Sequence, residues 1–258
     1  MPPVRFFLPH PPGAGGVLEL PGESVEHARA LRVRPGDRCE GLDGRGGRRA
    51  LEVLELGRQS LRLRDLGRAE TESAPGMPGA PLPWIELAVA WPRRTRAEAM
   101  LGGLVQLGAG AITALAARRR GPEPIPTHPP ARWEKLARTA LEQSGRAWLP
   151  RLGGALEVEA LVASRAAGTL ALLEPAAGMS FDTWLRSLTL GVGGAAGTEE
   201  RPLVLVVGPE GGWEHEEREA LLLAGASPVW LGPHVLRIET AALAAMAVAA
   251  TVLGRPAH

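Results

Sequence analysis

The 258 residues predict an α/β protein in which a parallel-sheet domain follows a smaller β domain, and three observations carry that expectation. From Trp84 onward, apolar runs alternate with amphipathic stretches, which is the pattern of βαβ units. Two of those runs, 203–207 and 229–231, are continuously apolar and rich in Val and Leu, as in strands buried on both faces. Before residue 70, by contrast, the stretch 60–66 alternates Leu61 and Leu63 with Arg62 and Arg64, the period of a half-buried strand.

Taken in order, residues 24–32 predict a helix with Ser24 as N-cap and Val25, Ala28 and Leu31 on one face. His27 on it reads as a structural residue. Pro35, Gly36 and Asp37 make a turn, and strands 38–43 and 49–56 flank a second turn at Gly44–Gly47. Residues 1–70 are thus a β domain, and 71–83, with four prolines among Gly, Ala and Ser, a linker. Residues 84–258 form the second domain: strand 84–91, helix 95–107, strand 111–116, helix 130–145, strand 170–174, helix 181–188, strand 202–207, helix 214–224, strand 229–231 and helix 240–253. The helix before Gly145 carries Trp133, Leu136, Ala137, Ala140 and Leu141 on one stripe, and Gly145 suits its C-cap. The last helix shows a small face, Ala241, Ala244, Ala245 and Val248, suited to close packing against a neighbouring helix or a second subunit.

Composition bounds the function. One cysteine, Cys39, excludes an intramolecular disulfide and a Cys-based metal site, and His and carboxylates nowhere cluster at metal-ligand spacing. No signal peptide is read at the start, and 241–253 is too short to span a bilayer, so a soluble cytoplasmic protein with no membrane partner is expected. The net charge of +1 conceals an uneven spread: residues 91–151 carry a net +7 and residues 152–258 a net −6. The basic stretch predicts a phosphate-binding surface that adds sequence-independent affinity for RNA.

The strand ends predict the ligand site. Strand 202–207 runs into Gly208-Pro209-Glu210-Gly211-Gly212 and strand 229–231 into Gly232-Pro233-His234, and in open α/β sheets ligands bind beyond the carboxyl ends of strands. A Walker A loop is excluded because Trp213-Glu214-His215 follows the glycines, and no dinucleotide fingerprint is present. Glu210, Glu214, Glu216, Glu217 and Glu219 would repel a polyphosphate and tolerate a cationic ligand; of these, Glu216, Glu217 and Glu219 read as solvated helix positions.

Gly208-Pro209-Glu210-Gly211-Gly212, Leu231-Gly232 and Leu236-Arg237-Ile238-Glu239-Thr240-Ala241 together resemble the paired loops of SPOUT methyltransferases, specifically the RsmE-type ribosomal RNA uridine N3-methyltransferases. Arg5-Phe6-Phe7, His27 with Leu31-Arg32 and Pro35-Gly36-Asp37, Arg93 with Arg96 and Glu98, and Glu142-Gln143-Ser144-Gly145-Arg146 follow the family's order. The resemblance implies a SPOUT domain with a trefoil knot behind a PUA-like RNA-binding β-barrel, and active sites at a homodimer interface. It also implies S-adenosylmethionine as cofactor, held by Gly208, Glu210, Gly211, Gly212, Leu231, Gly232, Leu236 and Thr240, with Thr240 also capping the last helix. Arg5, Arg32, Arg34, Arg93, Arg94 and Arg96 are the implied RNA contacts, and 16S ribosomal RNA or the assembled small ribosomal subunit the partner. For chemistry, Arg146 or Arg237 would stabilise charge on the uracil, and Glu210 or Glu239 would orient the base or take its proton. Two alternatives stay open: methylation of another RNA position, and non-catalytic RNA binding.

Overall fold

Alternating leucines and arginines do build a curled sheet in the N-terminal part of the chain, as its period-two pattern requires. The computed structural model describes residues 3–11, 15–165, 168–188 and 197–255, in two compact units: Met1–Ala74 with Arg138–Leu149, and Pro75–Ala137 with Pro150–His258. The first unit holds β1 (Val4–Phe7), β2 (Val17–Leu20), α1 (Gly22–Ala30), β3 (Arg38–Leu42), β4 (Gly47–Leu56) and β5 (Leu61–Thr71). The five strands lie in the order β1-β3-β4-β5-β2, parallel between β1 and β3 and otherwise antiparallel. Phe6, Leu20, Val25, Cys39, Leu51 and Leu63 are among the side chains that fill the core beneath them. β1 and β2, four residues each, are too short to show a period and were not expected.

Two local expectations change here. Helix α1 begins two residues early, with Pro21 at the cap and no side-chain cap bond, so Ser24 lies inside the helix and its N–H donates to the Pro21 carbonyl (2.9 Å). His27 packs edge-on against Phe6, with ring centroids 5.6 Å apart. Strand β5 runs on to Thr71, and Glu72 behind it is anchored: its carboxylate accepts from Arg48 Nη2 (2.7 Å) and its carbonyl from Trp148 Nε1 (2.9 Å).

The second unit contains β6 (Ile85–Ala90), α2 (Arg94–Leu107), β7 (Ala111–Leu115), α3 (Ala131–Ser144), β8 (Arg151–Leu156), α4 (Val158–Ser164), β9 (Thr169–Leu173), α5 (Phe181–Ser187), β10 (Leu203–Val207), α6 (His215–Leu223), β11 (Ser227–Val229) and α7 (Ile238–Leu253), although α3 passes into the first unit at Arg138. Its six strands are all parallel, in the order β11-β9-β10-β6-β7-β8. Every residue of β6, β7 and β10 is buried, as their unbroken apolar runs demand. The exceptions in composition are Glu86 on β6 and Thr113 on β7: Glu86 is fully buried and satisfied by Arg165 (2.6 and 2.9 Å) and by the Thr113 hydroxyl (2.7 Å). β8 escaped sequence reading because Gly153 and Gly154 interrupt its pattern; a Cβ on Gly154 would lie 2.1 Å from the Thr127 carbonyl oxygen, so the close backbone there requires glycine.

On α7 the buried face is Ala242, Ala245, Met246 and Ala249, rotated from the expected set, because α7 packs against both α2 and α5. Among the described residues no helix is long and apolar enough to cross a membrane. Nor does the charge segregate in space as it does in sequence. Arg94 pairs with Glu98, Arg118 with Glu159 and Glu216, Arg119 with Glu214, Arg132 with Glu98 and Arg151 with Glu199, so acidic positions offset much of the basic run.

Candidate active site

Three loops converge where β9, β10 and β11 end. Glycine lets the backbone turn sharply after β10: Gly212 has φ +74 and donates to the Pro209 carbonyl (2.9 Å). After β9 the chain is tied to its neighbour by Glu174 N–H to Val229 O (2.9 Å) and Phe181 N–H to Trp230 O (2.9 Å). Together the loops enclose a cavity of about 610 Å³, within the range of small-molecule sites.

Gly208, Glu210, Gly212, Leu231, Gly232 and Leu236 line this cavity. Trp213 closes one wall, its indole so near Gly208 that a Cβ there would lie 2.7 Å from Nε1. Two of the expected cofactor residues lie elsewhere. Gly211 faces a smaller neighbouring cavity, and Thr240 is exposed on the α2/α7 surface, in a groove with Gly103 and Leu243. Thr240 does not cap α7 either: Arg237 holds the cap position through its backbone and its side chain is exposed.

The β9 loop supplies lining residues that sequence reasoning missed, Leu173 to Gly178, together with Arg218, whose guanidinium grips the Glu174 carboxylate at 2.8 and 2.9 Å. A signal was present, since strand 170–174 also ends in a Pro/Gly stretch, Pro175-Ala176-Ala177-Gly178.

The two candidate carboxylates are brought together by a residue expected to touch RNA. Arg96 places Nη1 3.1 Å from Glu210 Oε1 and Nε 3.6 Å from Glu239 Oε1. Glu239 Oε2 is buried and accepts no hydrogen bond, which leaves an acceptor position open beside the loops. Glu239 also sits in the first turn of α7, where the helix dipole favours its charge.

Helix α6 is fixed at its start by a capping box between Glu214 and Glu217. Glu217 is 1% exposed, contrary to the solvated position expected for it, because its second oxygen accepts from Arg118 N–H (2.9 Å). Arg119 beside Glu214 holds that carboxyl below its ordinary range.

In the first unit, Arg5 Nε bonds Glu40 (2.8 Å), and Arg48 links Glu40, Glu72 and the Gly145 carbonyl (3.2, 2.7 and 2.6 Å). Gly145 has φ +73, a left-handed conformation that favours glycine, and the Arg5 guanidinium packs over it, 2.5 Å from where a Cβ would stand. Arg146 follows, half-buried, and desolvation lowers its pKa to about 10 against the opposing pull of Glu72. Glu142 Oε1 accepts from Phe7 N–H (2.8 Å), and burial raises its pKa. Arg32 and Arg34 are exposed around the turn after α1, Arg32 with φ 57. Arg93 and Arg94 are exposed at the start of α2.

A parallel sheet with a glycine-loop cavity at its carboxyl edge and a separate small β unit defines the class of protein: residues 79–250 match the profile of the RNA methyltransferase domain. The chain belongs to the RNA methyltransferase family and, within it, to the ribosomal RNA small subunit methyltransferase E group. It is 32% identical over 261 residues to the Mycobacterium bovis protein of that name, an alignment covering 98% of this chain and 93% of the relative. Among solved structures, ribosomal RNA small subunit methyltransferase E from Neisseria gonorrhoeae, bound to S-adenosyl methionine, superposes with TM-score 0.77 at 26% identity over 98% of both chains. A putative methyltransferase from Legionella pneumophila, in complex with the same cofactor, gives 0.81 at 25% identity over 97% of this chain and 98% of the other. The α/β architecture with an N-terminal β unit ahead of a SPOUT-type sheet is thereby established.

Proposed function

We propose that this protein methylates N3 of a uridine in 16S ribosomal RNA, drawing the methyl group from S-adenosylmethionine. The observation that carries the reading is the cavity formed by the three loops, because its walls suit that cofactor: mostly apolar and edged by peptide groups, with Glu210 and the Glu174–Arg218 ion pair at its margin. Membership of the family and the cofactor-bound relatives support it. Gly208, Gly212, Leu231, Gly232 and Leu236 would hold the cofactor. When bound, S-adenosylmethionine supplies an electrophilic methyl carbon. A displacement of this kind needs chiefly alignment at near-attack distance, which the converging loops would supply.

Uridine N3 carries a proton that must leave. Glu239 takes it in this reading, because its Oε2 accepts no hydrogen bond while Arg96 holds Oε1. Glu210, gripped by the same guanidinium, orients the pair. Arg237 and Arg146 are assigned the uracil oxygens, where charge develops as the proton departs. The first unit, read as a PUA-like domain, binds RNA through Arg32 and Arg34. The assembled small subunit in the cytoplasm, a trefoil knot in the sheet domain and a homodimer complete the proposal.

The test is direct. Purified protein is incubated with labelled S-adenosylmethionine and small subunits from a strain lacking the matching activity, and the digested RNA is analysed by mass spectrometry. 3-Methyluridine at one position is the expected product. A different methylated nucleoside overturns the N3 assignment, and RNA binding without transfer overturns catalysis. An Arg146→Ala variant that binds cofactor and RNA normally and keeps full activity removes Arg146 from the chemistry.

A further inference from the structure

Beside the loop cavity lies a second one of about 270 Å³, sharing Pro209, Glu210 and Ile238 with it. Its character is opposite: four arginines, Arg93, Arg96, Arg119 and Arg120, line it with Trp91. The acids within reach are already engaged, since Glu210 accepts from Arg96 (3.1 Å) and Glu123 from the Arg94 N–H (3.1 Å). Arg119 is committed to Glu214. Among the described residues the Arg120 guanidinium bonds the carbonyls of Gly121 and Glu123, and no carboxylate pairs with Arg120 or Arg93. Two cations with uncompensated charge therefore face one small cavity, where the first turn of α2 also lacks acidic residues. Trp91 is held by Trp133, with ring centroids 4.3 Å apart, and offers an aromatic surface at the same place.

We propose that this second cavity binds the acceptor nucleotide of the RNA, with its phosphate on Arg93 and Arg120 and its base on Trp91. The inference rests on the methyltransferase reading above and extends it by naming the acceptor's subsite. Arginine paired with an aromatic ring is the chemistry of a single-stranded nucleotide site: the guanidinium meets phosphate oxygens and the indole stacks the base. The volume admits one nucleotide unit rather than a duplex, so the target is taken out of its stack. Pro209, Glu210 and Ile238 line both cavities, so a nucleotide in the second and a cofactor in the first would meet along that shared edge.

Gly121 gives a clean test. It lines the second cavity and not the first, has no positive φ, and a Cβ there meets nothing within 4 Å, so Gly121→Leu fills the space without backbone strain. The probe is 4-thiouridine 5′-monophosphate, photo-crosslinked to the full chain with and without S-adenosylmethionine and mapped by peptide mass spectrometry. The expected label falls on Trp91 or on residues 119–123, persists with cofactor present, and drops about tenfold in Gly121→Leu and in the Arg93→Ala, Arg120→Ala double variant. The dissociation constant for S-adenosylmethionine stays within about twofold in Gly121→Leu. Label elsewhere, displacement by the cofactor, or undiminished kcat/KM for small subunits in Gly121→Leu overturns the subsite while leaving methylation intact. Crosslinking as expected without any methyl transfer by the wild-type protein overturns the enzymatic reading instead.

Discussion

Glu142 shows how one carboxyl is set by what surrounds it. Burial raises its pKa although the Phe7 N–H, which favours the charged form, opposes the shift. A carboxyl raised on folding costs stability as pH climbs from its unfolded value, about 4.3, through its folded one. Glu142→Gln keeps an oxygen for Phe7, so the variant should gain stability relative to wild type above that window and lose the advantage below it. Thermal melts of both proteins from pH 3.5 to 8 check this, and a difference independent of pH contradicts it. Cys39 provides a second case: burial, assisted by Asp37, pushes its thiol up to about 12. At pH 8 only about one thiol in ten thousand is ionised, so a thiol reagent should label Cys39 no faster than the protein unfolds. The glycines of the two loops were legible from sequence because nothing else follows a buried strand so abruptly. Arg96 as the link between Glu210 and Glu239 was not, since 114 residues separate the first pair.

At the scale of elements, the start of α6 and the middle of the sheet each hang on a buried acid. Glu217→Ala removes the capping box and orphans the Arg118 N–H, which should cost about 1–3 kcal/mol in urea denaturation. Arg165→Ala should cost more, about 3–5 kcal/mol, because Glu86 is left charged and fully buried. Replacing Glu86 and Arg165 together by apolar residues should recover most of that loss. If the double variant is as unstable as the single, the penalty does not come from the stranded charge. Long periodic helices and unbroken apolar strands were readable to within a residue or two. β8 and α4 were not: one is glycine-interrupted, the other seven residues long.

For the whole molecule, the shallow apolar groove of Gly103, Leu107, Leu243, Ala244 and Ala247 between α2 and α7 is the surface on which the proposed homodimer would form. Sedimentation should therefore give twice the 27.2 kDa chain mass, and Ala247→Arg should reduce it to the monomer. A monomeric wild-type protein would remove the dimer from the proposal. Charge behaves differently at this scale than along the chain, because the basic run at 91–151 and the acidic one beyond it are drawn into shared ion pairs.

The sequence by itself determined the fold class, the order of most helices and strands, and the glycine loops at the strand ends, because hydrophobic period and turn chemistry are local properties. Only the tertiary structure decided the rest: that Arg138–Leu149 joins the first unit, that Glu217 is buried, that Thr240 lies away from the cavity and that Arg96 bridges two carboxylates. Each of these depends on which distant segments meet, and pairing across a hundred residues leaves no mark on the neighbours of either partner.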